Sequence, residues 1–170
     1  LSCWNDGRDT FSSDEGEEIV DLNILCARLF FENDELMISE EIPLAAIEGS
    51  QQQNPSVFAT QGGNYMIAWE DMRSAEGIDQ SLNLSFEWDA YYQEINQNGI
   101  VYQDGGIALS TDPFGQVNIQ FGVLSEEEDL YIAFWEDDRS TGKELLTNIY
   151  AQLISPSSGP NCTVFDVNDD

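Results

Sequence analysis

The sequence predicts an all-β chain built from β-propeller blades of four antiparallel strands. Three observations carry that expectation. Trp, then Asp two residues on, then Arg four residues on, recurs as Trp4-Asp6-Arg8, Trp69-Asp71-Arg73 and Trp135-Asp137-Arg139. The copies recur at a nearly constant period of about 65 residues, within the range of propeller and solenoid repeats. Short apolar, aromatic-rich runs punctuated by turn residues recur between them, with no helical periodicity anywhere. A repeat of this period, about four strands long, is the unit of a propeller blade; a β-sandwich is the competing architecture.

Each element can be justified in order. Residues 65–69 and 131–135 are continuous apolar runs, which is the pattern of strands covered on both faces. Residues 1–4 are the shortened equivalent. A polar loop of variable length follows each Arg, and then comes a second strand at 23–29, 89–95 and 148–154. Asn or Asp opens all three, and an aliphatic residue closes all three. Asn33-Asp34, Asn98-Gly99 and Ser158-Gly159 then mark reversals. Beyond the turn, residues 36–38 and 42–44 match residues 100–102 and 107–109. A last strand at 55–59, or within 116–121, leads through a turn to the next Trp.

This gives about two and a half units: a partial blade at 1–45, a second at 46–110, a third, partial, at 111–160, and a linker or calcium-binding start at 161–170. Closed propellers typically have at least four blades. The expectation is therefore a segment of a longer polypeptide or a chain completed by partners.

Composition narrows the function. The chain has 170 residues, with 33 acids against 5 bases and a formal net charge of −28. Such a chain is repelled by nucleic acid and by anionic membrane surfaces. Hydrophobic residues still reach 41%. A folded domain with a solvated or salt-adapted exterior therefore fits better than a disordered acidic tail. No apolar run approaches a membrane-spanning length. Cys3, Cys26 and Cys162 leave an odd thiol; a bridge between Cys3 and Cys26 and free buried thiols are both open readings.

Within a strand, residues two apart share a face, so Trp, Asp and Arg of each copy line one side. Two roles follow. In the first, Trp fills the space between blades and Asp accepts hydrogen bonds from Arg or from turn amides. In the second, the three Arg side chains line a shared channel and hold an anion. Three of the five basic residues occupy this one position, which favours a specific pairing.

The pattern over 53–57, Gly62-Gly63, 67–73 and 148–154 resembles repeats in secreted and surface proteins of bacteria, many from Bacteroidetes and marine groups. The resemblance covers nearly the whole chain and implies a propeller-type fold, export and an extracellular role. It implies no common activity. Residues 89–93 depart from the pattern, and the long loop from Ser74 to Trp88 is an insertion. Asp166, Asn168 and Asp170 are spaced like the first three oxygen ligands of a calcium loop and resemble the start of a dockerin-type repeat.

The chain contains no His. Triad chemistry and His-based metal sites are thereby excluded. Only carboxylate chemistry of the glycosidase kind remains, and no pair of acids stands out. The Asp-box pattern of sialidase propellers is absent. Asn83 and Asn161 fit the glycosylation acceptor pattern by chance. The sequence thus reads as a non-catalytic propeller segment of a secreted or cell-surface bacterial protein, acting in adhesion, assembly or ligand binding. Its expected partner is a protein or glycan at the cell surface, or the remainder of its own polypeptide, with Ca2+ as the only cofactor suggested. The alternatives are a domain of an extracellular carbohydrate-active enzyme using Asp or Glu, and a passenger held by a secretion or surface complex.

Overall fold

A computed structural model describes residues 1–12, 16, 18–45, 50–74, 88–102, 105–137, 139, 148–155 and 159–166. Among them 13 strands form antiparallel sheets, and no helix occurs. The first sheet joins β1 (Ser2–Ser12), β2 (Glu18–Ala27) and β5 (Ile42–Ala45) in the order β1-β2-β5. Between β2 and β5 the chain makes a separate hairpin, β3 (Leu29–Glu32) and β4 (Glu35–Ile38). The second sheet is β6 (Gln52–Ala59), β7 (Tyr65–Asp71), β8 (Asp89–Ile95) and β9 (Ile107–Ser110), paired in chain order. The third repeats that meander with β10 (Gln116–Ser125), β11 (Leu130–Asp137), β12 (Asn148–Ser155) and β13 (Gly159–Asp166).

Matching registers show that the repeat is structural. Trp4 pairs with Leu25, Trp69 with Tyr91 and Trp135 with Tyr150. Asn54 and Asn118 both sit at a register shift, with φ of 53° and 57°. Asn tolerates that left-handed conformation, so each first strand carries the same bulge. Asn33 and Asp34 have φ of 51° and 66°. That is the double left-handed geometry of a tight hairpin turn, as their sequence predicts.

The three sheets stack face to face around two main cores, with a smaller cluster of Met72 and Trp88 against Val117. Ile24, Cys26, Leu44 and Ala45 of the first sheet meet Ile67, Trp69, Tyr91 and Ile95 of the second. Met66, Ala68, Ala90, Tyr92 and Leu109 of the second meet Ile119, Tyr131, Ala133, Trp135, Tyr150 and Ile154 of the third. The middle strand β7 is consequently buried on both faces from Met66 to Asp71. Burial on both sides explains its unbroken apolar run. In β11 only Tyr131, Ala133, Trp135 and Asp137 are buried, one face of the strand.

The structure departs from the sequence reading in three places. The first unit does not enter a loop after Arg8: β1 continues to Ser12, because Thr10 and Phe11 pair with Val20 and Ile19 across a register shift. Residues 100–102 form no strand, and Val101 makes only an isolated bridge to Ile95. Residues 161–166, expected in a linker, continue β13, where Asp166 pairs with Tyr150; the third sheet accordingly has four strands.

Candidate functional site: the repeated Trp-Asp-Arg joint

Side-chain alternation gives Trp69, Asp71 and Arg73 one side of the second sheet. It is the side that faces the first sheet. Asp71 is fully buried and receives the Trp69 indole N–H at 2.9 Å, the Arg73 backbone N–H at 2.9 Å and the Arg73 guanidinium at 2.5 Å. The guanidinium also donates to the Gly105 carbonyl at 2.7 Å and lies 4.0 Å from the ring centroid of Tyr91. Tyr91 in turn stacks on Trp69, their centroids 6.3 Å apart. Gly106 closes the other side: φ is +78°, and a Cβ there would come within 2.3 Å of the Trp69 ring. Only glycine satisfies both constraints.

The third sheet rebuilds the arrangement. Asp137 accepts from Trp135 Nε1 at 3.0 Å, from the Arg139 backbone N–H at 2.8 Å and from Arg139 Nε at 2.7 Å. The Arg139 guanidinium lies 4.3 Å from the Tyr150 centroid. It donates to Ser110 Oγ at 2.6 Å and pairs with Asp112, both at or beyond the end of β9 in the second sheet. Burial pulls the Arg139 pKa down, but the contacts with Asp137 and Asp112 together outweigh it and leave the pKa raised.

The first copy is looser. Arg8 Nε donates to both Asp6 oxygens, at 2.7 and 2.9 Å, and Arg8 Nη2 to Glu41 at 2.8 Å, but the Arg8 side chain is 60% exposed. Leu25 stands where the other copies have the Tyr that carries the guanidinium. The Glu41 and Asp6 hydrogen bonds raise the Arg8 pKa.

A second repeated contact, invisible in the Trp-Asp-Arg pattern, joins neighbouring sheets. The residue after each Trp accepts the backbone N–H of the bulge Asn in the following sheet. Asn54 N donates to Asn5 Oδ1 at 3.1 Å, and Asn118 N donates to Glu70 Oε1 at 2.9 Å. Each bulge side chain also reaches the acid of its own sheet, Asn54 to Glu70 at 2.8 Å and Asn118 to Glu136 at 3.1 Å. The signal was available as Gln-x-Asn at 52–54 and 116–118, at the start of each first strand.

Burial raises the Glu70 pKa above the ordinary 4.5, against hydrogen bonds from Asn118, Asn54 and Gln53 that lower it. Desolvation disfavours the charged form and here outweighs the donors. A raised carboxyl is what a general acid needs. Glu70 is nevertheless 1% exposed, enclosed between the second and third sheets. Burial likewise lifts the Tyr92 hydroxyl to about 12.

Cys3 and Cys26 are disulfide-bonded across directly opposed positions of β1 and β2, their Cα atoms 4.0 Å apart. Of the three calcium-spaced residues, Asp166 ends β13, while Asn168 and Asp170 lie outside the described residues, as does the insertion 75–87. Among the described residues no group of three potential ligands could hold a metal ion, and no helix is long and apolar enough to cross a membrane. Compared with protein-family models, curated proteins and solved structures, the chain matches none.

Proposed function

We propose that the three stacked sheets are successive blades of a β-propeller segment in a secreted or cell-surface bacterial protein, where they serve without catalysis in adhesion, assembly or ligand binding. The observation that carries this reading is the joint itself: Trp69 packs in the core between the second sheet and the first, Trp135 in the core between the third and the second, and Arg139 also bonds Ser110 and Asp112 across the latter. The engagement of the Arg73 and Arg139 guanidinium groups by Asp71, Asp137, Gly105 and Ser110 supports a structural role for them over an anion site. The Cys3–Cys26 disulfide supports the same reading. Such bonds persist in oxidising compartments outside the cytosol. The acidic surface suits a protein or glycan partner and argues against nucleic acid. The calcium reading of Asp166, Asn168 and Asp170 rests on spacing alone.

Glycan arrays and intact bacterial cells probed with the labelled chain test the proposal. Binding without release of sugar is the expected outcome. Sugar release that is abolished by one Asp or Glu substitution would make the chain part of a carbohydrate-active enzyme instead.

A further inference from the structure

The β3–β4 hairpin stands as a two-stranded sheet of its own, and no third strand flanks it among the described residues. A lone ribbon of that kind is marginally stable in water. Its register is unbroken: Leu29 pairs with Ile38, Phe30 with Met37, Phe31 with Leu36 and Glu32 with Glu35. One pair further on, the Ser39 backbone N–H donates to the Arg28 carbonyl at 2.9 Å. In an antiparallel ladder, hydrogen-bonded pairs alternate with non-bonded ones. The Leu29–Ile38 and Phe31–Leu36 pairs are therefore non-bonded, and their N–H and C=O groups point out from the two edges.

The side chains of those same four residues share one face of the ribbon. All four are between 48% and 75% exposed. The other face carries Phe30 and Met37, then Glu32 and Glu35 directly opposed at the tip. Like charges so placed repel each other. Neither carboxylate has a basic partner among the described residues. Arg28, at the base of β3, lies 5.7 Å from the Phe30 ring centroid and donates to the Gln97 carbonyl at 2.5 Å. Exposed edges are ordinarily blunted by Lys, Pro or a bulge. The β4 sequence, Glu-Leu-Met-Ile, has none of these.

We infer that the outer edge of β4 is a docking edge, taken by an extended segment of a partner protein in which apolar and basic residues alternate. The segment adds as a third strand, bonding the outward N–H and C=O groups of Leu36 and Ile38. Its apolar side chains continue the exposed apolar face, and its basic ones lie beside Glu35 on the other. Charge selects both the edge and the occupant. β3 starts beside Arg28, whereas β4 runs on to Glu40, so a basic segment suits β4. A second copy would set Glu35 against Glu35 and bring another net charge of −28, and anionic lipid is repelled by the same charge. The docking edge uses the hairpin alone and does not depend on the sheets being propeller blades.

Fluorescence anisotropy of a labelled peptide of about ten residues, alternating Lys and Val, titrated with the 170-residue chain at about 0.15 M salt, tests it. Binding is expected, with amide exchange slowed at Leu36 and Ile38, and an alternating Glu and Val peptide should not bind. The Leu36→Lys/Ile38→Lys variant puts the usual protection on the edge at exposed positions. It should keep the wild-type melting temperature and bind at least about tenfold more weakly. Glu126→Gln/Glu127→Gln makes the same change of net charge in the β10–β11 turn and should bind as the wild type does. Failure of the folded chain to bind the Lys and Val peptide overturns the inference. Equal weakening by both variants overturns it too, by reducing the contact to general charge attraction, as does exchange slowed at Leu29 and Phe31 in place of Leu36 and Ile38. Self-association in sedimentation velocity, or capture by zwitterionic vesicles, that Phe31→Ser abolishes also overturns it and gives the hairpin to a second copy or to a lipid surface.

Discussion

A carboxylate with no exposed surface survives in a fold only if its charge is answered. Asp71 and Asp137 are each answered by one Arg, one indole N–H and one backbone N–H, and Asp71 also by the Ser50 hydroxyl at 3.2 Å. Removing the Arg leaves a buried charge with only neutral donors. The Arg73 side chain keeps 20% exposure. Arg73→Met is therefore expected to cost about 3 kcal/mol, near the lower end for breaking a buried pair. Arg8→Met, at the exposed copy, should cost far less, because water screens that pair. Urea denaturation checks both; equal losses would mean that burial does not set the strength of the joint. Trp, Asp and Arg were legible because their spacing is invariant. The Tyr91 and Tyr150 rings that cover the guanidinium groups were not, since loops of different length separate them from the Arg. Both are nevertheless the third residue of their strand. Glu94 supplies a pH test. Burial raises its pKa above 4.5. The folded state therefore holds this proton more tightly than the unfolded chain. The stability it contributes is present below the ordinary carboxylate value and is lost as pH rises through the raised one. Glu94→Gln can still accept the Asn64 amide, now bonded at 2.8 Å, and should therefore raise the melting temperature more at neutral than at mildly acidic pH. An increment that shrinks as pH rises would contradict this.

Among the elements, the first sheet is the least self-sufficient, with three strands where the second and third have four. The disulfide is what compensates at its edge, tying β1 to β2 across a sequence separation of 23. Closing a loop of that size removes unfolded-state entropy equivalent to about 3 kcal/mol. Cys26 is also fully buried in the core. The Cys3→Ala/Cys26→Ala double variant should thus lose at least as much as the cross-link contributes, with a cavity added, and calorimetry with and without reductant measures it. A reductant that leaves the wild-type transition in place while the variant melts early would assign the loss to packing alone. The strand sequence of the second unit was largely readable, because its apolar runs and its Gly62-Gly63 turn are the repeat's clearest. The first unit's extended β1 was not. The residues after Arg8 read as a loop, and only pairing of Asp9 to Ser12 with β2 holds them in a strand. Local propensity does not record such a tertiary effect. The last strand, expected as a linker, was missed for a related reason: Gly159 to Asp166 has turn-forming residues at its start and becomes a strand only by lying beside β12.

For the whole molecule, the decisive quantity is the imbalance of 33 acids against 5 bases. Arg8, Arg73 and Arg139 already serve local carboxylates, and Arg28 serves a backbone carbonyl, so they relieve little of the long-range repulsion. That repulsion grows on folding, when the charges are brought onto one compact surface. Salt should therefore stabilise the fold, because the screening length falls from about 10 Å at 0.1 M to about 3 Å at 1 M. The melting temperature is expected to climb by several degrees over that range, at about 2 to 4 °C per kcal/mol for a chain of this size. Sodium and potassium chloride should act alike and the effect should level off, whereas a preferential-exclusion effect would continue to grow. The exposed turn between β10 and β11 provides the control. Glu126, Glu127 and Glu128 lie there in a row, and replacing all three with Gln should raise the melting temperature at low salt and flatten its salt dependence. If the triple variant responds to salt as steeply as the wild type, screening of surface charge is not the cause. The acidity would then belong to recognition of a partner, and the stack would owe its stability to the joints and the apolar cores alone.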